Sequence, residues 1–538
     1  EREFDNQEQR QIYDSILQQQ VPIENSYWKI IDNYYFTRTR LISCGGSCKY
    51  VYPSANHSYY NKALGLLIKN QTFCHKLKLE ESDTKLLNTS SLIYYLGCVP
   101  QQNAFTSFLV EDLKITDYSH EDTSLLLFNH IIDSMDSRDH GYSEDDIQMI
   151  GNIVKGDVHK FPSEKRYLAS IVNNKETFFD LNKLSSMERD LKFFGYEDGY
   201  DDILLNHAKI IGGNLAFNYS YASNFYEFYK CYYKFERNLY NHRVVMGIDL
   251  MMQDIFRLTN KKMDYLSILK DPEELALFHD QIFNHLSFST IHNPKLRNQE
   301  ARNIMQKILN RDLYKFVGEI YVSDLLNKDK VTVSEYLKCT KTTSDTSHFK
   351  LTEEDILIKK FSVCYGKDNE DPVENAVFYY PRTKIIKSYD KEDFLMDKPA
   401  KYKEEIIRVY VKNQNLLPLA LDTFKNFCNV IGLISHEYDK DKSGRKLVNS
   451  GNGINMSSER KAPLDFFSSA YLKEKTEKSF YQPINILSNL SGGITSFSGT
   501  NKHNVGILVG EVDKGNSNKS TEKKKDDCND LDLREDRR

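Results

Sequence analysis

The sequence predicts a mainly α protein: a helical core over 1–330, a smaller α+β lobe over 331–435, and a flexible extension over 436–538 ending in a disordered charged tail. Three observations predict it. Apolar residues recur at helical spacing through the first two thirds. Short β-branched and aromatic runs follow after about residue 330. Composition then turns to Gly, Ser and Asn, and finally to charge with few apolar residues.

Over 240–258, Val244, Ile248, Met251, Ile255 and Leu258 repeat at three and four, which is a helical stripe. Asp271-Pro272-Glu273-Glu274 is a helix start: a capping carboxylate, a proline in the first turn, and acids near the positive dipole end. Leu275, Phe278, Ile282 and Leu286 then predict one continuous apolar helix face, with His279-Asp280 inside that helix. Ile304, Ile308 and Leu309 repeat the pattern over 300–310. Runs at 376–380 and 406–411 predict strands, and Leu416 to Ile431 returns to helix. The segments 449–458 and 490–500 are rich in Gly, Ser and Asn, and 512–538 is charged. Asp439-Lys440-Asp441-Lys442-Ser443-Gly444 resembles the opening of a calcium loop, but its twelfth position is Ser450 rather than Glu. It reads as a turn.

Bulk composition narrows the function. A chain of 538 residues exceeds a typical single core. With 40% hydrophobic and 28% charged residues it reads as globular. A formal net charge of −5 gives no global attraction to nucleic acid or an anionic membrane. No apolar run approaches the roughly 20 residues of a membrane span. The opening Glu1-Arg2-Glu3-Phe4-Asp5 is no signal peptide, and its lack of Met suggests a start inside a longer product. Nine dispersed cysteines predict reduced thiols, hence an intracellular setting, cytoplasmic or nuclear. Cys44-x3-Cys48 with Cys74-His75 could be imagined as a zinc site, but the second pair does not recur at finger-like spacing.

Three collinear patterns then point one way. The first is Ile30-Ile31-Asp32, Phe36-x-Arg38-x-Arg40, Tyr50-Val51-Tyr52-Pro53-x-Ala55-x-His57 and Ala63-Leu64-Gly65. The second is Asn174-Lys175, Asp180-x-Asn182-Lys183 and Arg189-Asp190. The third is Asn293-Pro294-Lys295-Leu296, then Arg311 through Glu319, with Ile407-Arg408-Val409-Tyr410-x-Lys412 beyond it. In this order the chain resembles the SAM-and-HD-domain deoxynucleoside triphosphate triphosphohydrolases, from about residue 28 to about 430, without a SAM domain. The resemblance implies an HD-domain helical core. It also implies hydrolysis of a deoxynucleoside triphosphate to nucleoside and triphosphate, and dimers and tetramers with activator nucleotides at subunit interfaces.

The family's metal site needs two His and two Asp, which hold a cation that acidifies a water. The matching positions here are Lys62, Cys98, Val99 and Asn182. Val99 cannot ligate, Lys62 adds a positive charge, and one thiol does not make a hard-metal site. The family's two other site histidines match Gln102 and Ser107, and the Arg before the first His matches Tyr59. No His-Asp pair within 76–119 offers a rescue by shifting the alignment. His120, Lys183 and Asp190 match family residues and are expected as vestiges, His120 at the position of a proposed general acid. Hence no catalytic set and no metal are expected.

The family's guanine-reading Asp and Arg match Asp32 and Arg40, and its companion Gln is Thr37. A carboxylate can accept both donors of the guanine edge, which adenine does not offer. Triphosphate holders match Arg311, Lys315 and Lys412, three cations suited to a polyphosphate. The bland alternative is a buried Asp32–Arg40 ion pair beside solvated cations. A second activator pocket is mostly lost, its Arg-x-Lys falling near Asn218-x-Ser220, while Arg237, Tyr240, His242 and Arg243 look retained or conservatively changed.

The resemblance therefore implies an inactive, dNTPase-like scaffold. Its ligand would be GTP or dGTP with Mg at an allosteric-type site, and no other cofactor. Its partners would be copies of itself or subunits of a larger complex. Two rivals remain: a residual phosphohydrolase, and a nucleic-acid-binding derivative. The acidic balance disfavours the latter, while the Lys295–Arg302 cluster favours it.

Overall fold

The computed structural model describes residues 10–14, 16, 18–135, 141–195, 202–287, 298–322, 331–341, 350–383, 385–387, 389–394, 397–431 and 436–437. These fall within one unit, Glu1–Ser457, and the second unit, Ser458–Arg538, lies outside them. So do 439–444, 449–458, 490–500, 512–538, Cys528 and the 293–296 part of the third pattern.

The chain begins with an antiparallel hairpin, β1 (Arg10–Asp14) and β2 (Gln19–Ile23). The helices α1 (Asn25–Ile31), α2 (Tyr34–Thr37), α3 (Tyr59–Leu77), α4 (Glu81–Ile93), α5 (Gln102–Glu111), α6 (His120–Asp133), α7 (Glu144–Lys155), α8 (Tyr167–Val172) and α9 (Leu181–Phe194) follow. Next come α10 (Ile203–Asn206), β3 (Lys209–Ile211), β4 (Asn214–Asn218), α11 (Ser223–Phe235), α12 (Arg243–Met263), α13 (Tyr265–Ile268), α14 (Pro272–Leu277), α15 (Gln281–Ser287) and α16 (Gln299–Leu309). The last elements are β5 (Lys315–Tyr321), α17 (Val333–Lys338), β6 (Ile356–Cys364), β7 (Val377–Tyr379), β8 (Ile386–Lys387), β9 (Lys403–Val411), α18 (Leu417–Val430) and β10 (His436–Glu437). The architecture is mainly α, with a helical core and a smaller α+β lobe. No helix among the described residues is long and apolar enough to cross a membrane.

Local chemistry explains the elements that carry the site. α3 starts on a capping box in which Ser58 and Asn61 satisfy each other's backbone donors. The Asp180 carboxylate caps α9 by accepting from the Lys183 amide at 2.8 Å, and it also holds the Asn174 amide at 2.9 Å. Much of the second sequence pattern is therefore a helix-starting device. α12 buries Ile248, Met251 and Ile255 as its periodicity predicts.

Two expectations need correction. Leu275, Phe278, Ile282 and Leu286 are all buried, but they do not share one helix. α14 ends at Leu277, and His279-Asp280 lies in the bend before α15. The cause is tertiary. The Asp280 amide donates to the Leu41 carbonyl at 3.2 Å, and its carboxylate accepts from the Ser43 amide at 3.0 Å and from Lys49 at 2.7 Å. On α16 the inward stripe is Ala301, Met305 and Ile308, and Leu309 is 52% exposed.

One sheet has the order β10-β5-β9-β6, and a second has the order β3-β4-β7-β8 with β4 and β7 parallel. The lobe has its own core, in which Val317, Ile320, Ile407, Val409 and Val411 meet Phe424 and Phe427 of α18. Gly318 follows an irregularity in the β5–β9 pairing, and a Cβ there would overlap the Phe424 ring. β9 is buried on both faces. Its other face turns Arg408 and Tyr410 toward the helical core, where Tyr410 donates to the Arg243 carbonyl at 2.8 Å. β6 brings Lys359, Lys360 and Phe361 to the cavity described next.

Candidate functional site

A cavity of about 650 Å³ lies between α3, α9, α12 and β6. Its lining includes Lys62, His120, Asn182, Lys183 and Asp190, so five positions singled out from sequence do converge. Cys98 and Val99 are buried, at 3% and 0% exposure. Their segment is clamped. The buried Arg38 donates to the carbonyls of Leu96 (2.7 Å), Cys98 (2.8 Å) and Leu275 (3.0 Å). A Cβ on Gly97 would strike the α6 backbone at Ser124, Thr123 and His120. That close approach fixes the start of α6, and with it His120, beside the cavity.

The centre of the site is Asp190. Its Oδ2 accepts from the Lys62 ammonium at 2.7 Å, and its Oδ1 from His57 Nε2 at 2.5 Å. The Tyr240 hydroxyl donates to the same carboxylate. Tyr240 sits on a π-helical turn, Glu236–Tyr240, that leads toward α12. Irregular turns of this kind often mark functional positions. His57 stacks on Phe193 at 4.4 Å, and its Nδ1 is buried with no hydrogen-bond partner among the described residues. Burial acts to lower the Lys62 ammonium's pKa, but Asp190 outweighs it and lifts Lys62 above the ordinary lysine range. Burial acts to raise Asp190, but Lys62 and then His57 hold it below the ordinary carboxylate range.

The neighbours are largely satisfied. Asn182 accepts from the Tyr95 hydroxyl, and Gln102 accepts from the Val99 amide at 3.0 Å. Ser107 accepts from Lys359 at 2.9 Å. Lys183 pairs with Asp180, its own helix cap, at 2.5 Å. His120 Nδ1 lies 3.1 Å from Glu121, while Nε2 is buried with no hydrogen-bond partner among the described residues. Burial lowers the His120 pKa, against the opposing pull of Glu121. Across the cavity, burial raises Glu236 and pushes Asp249 up to about 6.

These residues do not fit the divalent metal of an HD site. Val99 offers no donor, Asn182 is engaged by Tyr95, and position 62 carries an ammonium bonded to the carboxylate. The ligand atoms of Cys44, His57 and Asp190 do lie within 4.8 Å of one another. A cation there would have to displace Lys62 from Asp190, and Cys44 already donates to the His57 carbonyl at 3.1 Å. Sequence reasoning weighed Cys44 only with Cys48 and Cys74-His75, and gave His57 no metal role. The run ending Ala55-x-His57 was visible, but its tie to Asp190 is a contact across 133 residues.

The remaining candidates stand elsewhere. Asp32 pairs with Arg10 at 2.6 Å, with its side chain 55% exposed. Arg40 donates to the Tyr60 hydroxyl at 2.5 Å and covers that ring at 3.6 Å. The bland alternative of a buried Asp32–Arg40 pair is therefore overturned: exposure and a closer guanidinium, Arg10, decide Asp32's partner. Arg311 donates to the Tyr50 carbonyl, and Lys412 pairs with Asp254 at 2.9 Å. Lys315 is opposite Val411 in the β5–β9 register, so Lys315 and Lys412 flank one end of that sheet. Arg237 and Arg408 share Glu319 rather than facing the cavity.

No family model matches the chain. It is similar to the deoxynucleoside triphosphate triphosphohydrolase SAMHD1 homolog of Dictyostelium discoideum, at 26% identity over 433 residues, covering 77% of this chain and 79% of that protein. It is 25% identical over 452 residues to the human deoxynucleoside triphosphate triphosphohydrolase SAMHD1, covering 74% of this chain and 70% of that one. It is also 22% identical over 440 residues to a putative HD domain-containing protein, L394, of Acanthamoeba polyphaga mimivirus, covering 75% and 92%.

Proposed function

This chain is a divergent member of the SAM-and-HD-domain deoxynucleoside triphosphate triphosphohydrolase family, and from that premise we propose that it is a catalytically inactive scaffold responsive to guanine nucleotide. The observation that carries the reading is the Lys62–Asp190 contact of 2.7 Å. What supports the reading is that Lys62, at the position matched to the family's first metal ligand, lines the cavity and bonds its buried carboxylate. Without a metal-activated water, the retained His120 can supply only part of a barrier reduction, about 10²–10⁴-fold. Asp32 and Arg40 would read a guanine, and Arg311, Lys315 and Lys412 would hold its phosphates with Mg. Assembly with further copies, or with a larger complex, follows from that mode of binding. An intracellular site of action, cytoplasmic or nuclear, suits the eight free thiols among the described residues. On this reading 1–330 is the degenerate catalytic core, 331–435 the regulatory-like lobe and 436–538 an extension.

One observation favours a second reading, an atypical triphosphohydrolase: His120 lines the cavity and its Nε2 has no hydrogen-bond partner among the described residues. A single experiment separates the two. Purified protein is analysed for Fe, Mn and Zn and assayed for triphosphate release from dNTPs, and GTP is titrated calorimetrically into wild type and Asp32→Asn. The scaffold reading expects no stoichiometric metal, no triphosphate, and GTP heat that Asp32→Asn abolishes. Stoichiometric metal with turnover supports the hydrolase, and absence of GTP heat removes the nucleotide.

A further inference from the structure

The first hairpin places the Arg10 guanidinium against Asp32, the carboxylate proposed above to read guanine. Arg10 and Ile23 are partners in the β1–β2 register. The Ile23 carbonyl accepts from the Trp28 indole N–H at 3.3 Å, which fixes the ring's attitude. Arg10 lies over that ring, its guanidinium carbon 3.6 Å from the centroid. Its Nη1 and Nη2 donate to the two oxygens of Asp32, at 2.6 and 3.5 Å. A planar group is thus stacked on an indole and presents a pair of N–H donors to a carboxylate.

Guanine has the same arrangement. Its N1–H and exocyclic amino group lie side by side on a planar ring and are joined through one carbon, as in a guanidinium. Adenine and cytosine each present an amino donor beside a bare ring acceptor, so neither can repeat the paired contact with a carboxylate.

We propose that Trp28 and Asp32 together form a guanine-reading pair, and that Arg10 of the same chain is its built-in competitor. The proposal rests on the nucleotide-binding reading of Asp32 and adds two residues to it. Trp28 is the stacking platform, and Arg10 is the occupant that nucleotide must displace. The Arg10–Asp32 pair is suited to displacement, because the two side chains are 52% and 55% exposed and the attraction is screened by solvent. The hairpin need not leave with the side chain. Asp14, at the other end of β1, is bonded to Arg189 in a buried ion pair, and Lys192 donates to the Ile16 carbonyl at 3.0 Å. Arg10 can therefore swing off Trp28 while the hairpin stays anchored on α9.

Trp28 is the only tryptophan in the chain, so intrinsic fluorescence reads this one contact. The test titrates GTP, with ATP as control, into full-length wild type, Arg10→Ala, Arg10→Lys and Asp32→Asn, following Trp28 emission and binding heat. GTP is expected to change wild-type emission and ATP is not. Arg10→Ala should bind GTP about fivefold tighter or more, since the competitor is gone. Arg10→Lys, which keeps the charge but loses the paired donors, should fall between, and Asp32→Asn should lose GTP. Equal GTP affinity in wild type and Arg10→Ala overturns the competitor while leaving Asp32 as a nucleotide contact. An equal response to ATP overturns guanine reading. No binding by any form overturns both this proposal and the nucleotide reading beneath it.

Discussion

Lys62 is 5% exposed, and among the described residues its carboxylate partner is Asp190. Two charges held this far from water depend on each other, because either one alone faces the full cost of its burial. Asp190 would keep His57 and Tyr240 as donors if Lys62 were lost, but the ammonium bonded to it would be gone. Lys62→Met, close in size and apolar, should therefore destabilise the fold by about 3–5 kcal/mol. Adding Asp190→Asn removes the stranded charge and should recover much of that loss, since neutral replacements of buried pairs are often well tolerated. Urea denaturation of the three proteins reads both numbers. A single variant within about 1 kcal/mol of wild type would show that Lys62 is not what compensates Asp190. At this scale the sequence located Lys62 and Asn182, because their chemistry differs from the family pattern at identifiable positions, and His120 and Asp190, because they match it. It did not reveal His57, Tyr240 or Arg10 as partners, because those contacts depend on which turns and strands come together.

Among the elements, β9 joins the lobe to the helical core. Arg408 is 4% exposed, bonds Glu319 of β5 at 2.5 Å and donates to the Asn241 carbonyl. Arg237, on the π-helical turn, reaches the same Glu319 at 3.1 Å. Burial alone would raise the Glu319 carboxyl, but Arg408 and then Arg237 bring it from near 4.5 down to about 2. A carboxyl whose folded pKa is depressed stabilises the fold above its unfolded pKa and loses that contribution as pH falls toward the folded value. The shift corresponds to about 3 kcal/mol at neutral pH, disappearing between roughly pH 4.5 and 2. Glu319→Gln should be less stable than wild type at pH 7, and the gap should narrow steadily below pH 4.5. Paired denaturation curves at pH 7, 4 and 3 check this, and a gap unchanged at pH 3 would rule out ionisation as its source. The cores of α12, β9 and α18 were legible in sequence because apolar spacing there matches what the fold buries. The break between α14 and α15 was not, since Asp280 is drawn away by Leu41, Ser43 and Lys49, over 230 residues earlier. The β1–β2 hairpin was equally silent: Gln19, Gln20 and Pro22 carry no clear strand signal.

At the scale of the whole molecule, the five proposed nucleotide contacts fall into two sets. Asp32 and Arg40 stand on either side of the short helix α2, while Arg311, Lys315 and Lys412 flank one end of the β5–β9 pair. Neither set donates to the other. Asp32 takes Arg10, Arg40 takes Tyr60, Arg311 takes the Tyr50 carbonyl and Lys412 takes Asp254. If the base is read by one copy and the phosphates are held by another, the ligand itself links copies, and a twofold dimer would carry two such composite sites. That arrangement has a distinctive genetic signature. Asp32→Asn lacks the base contact, and Lys315→Ala/Lys412→Ala lacks the phosphate contacts, so each alone should bind little GTP. In a mixed dimer, one site combines both defects and the other combines neither. Random mixing in equal amounts makes about half the dimers mixed, so about a quarter of the wild-type GTP sites should return. Calorimetry on the mixture after co-refolding or co-expression measures that fraction, and light scattering should show GTP raising the mass of wild type but of neither variant alone. A mixture as silent as its components would place both sets in one chain and leave nucleotide with no part in joining copies.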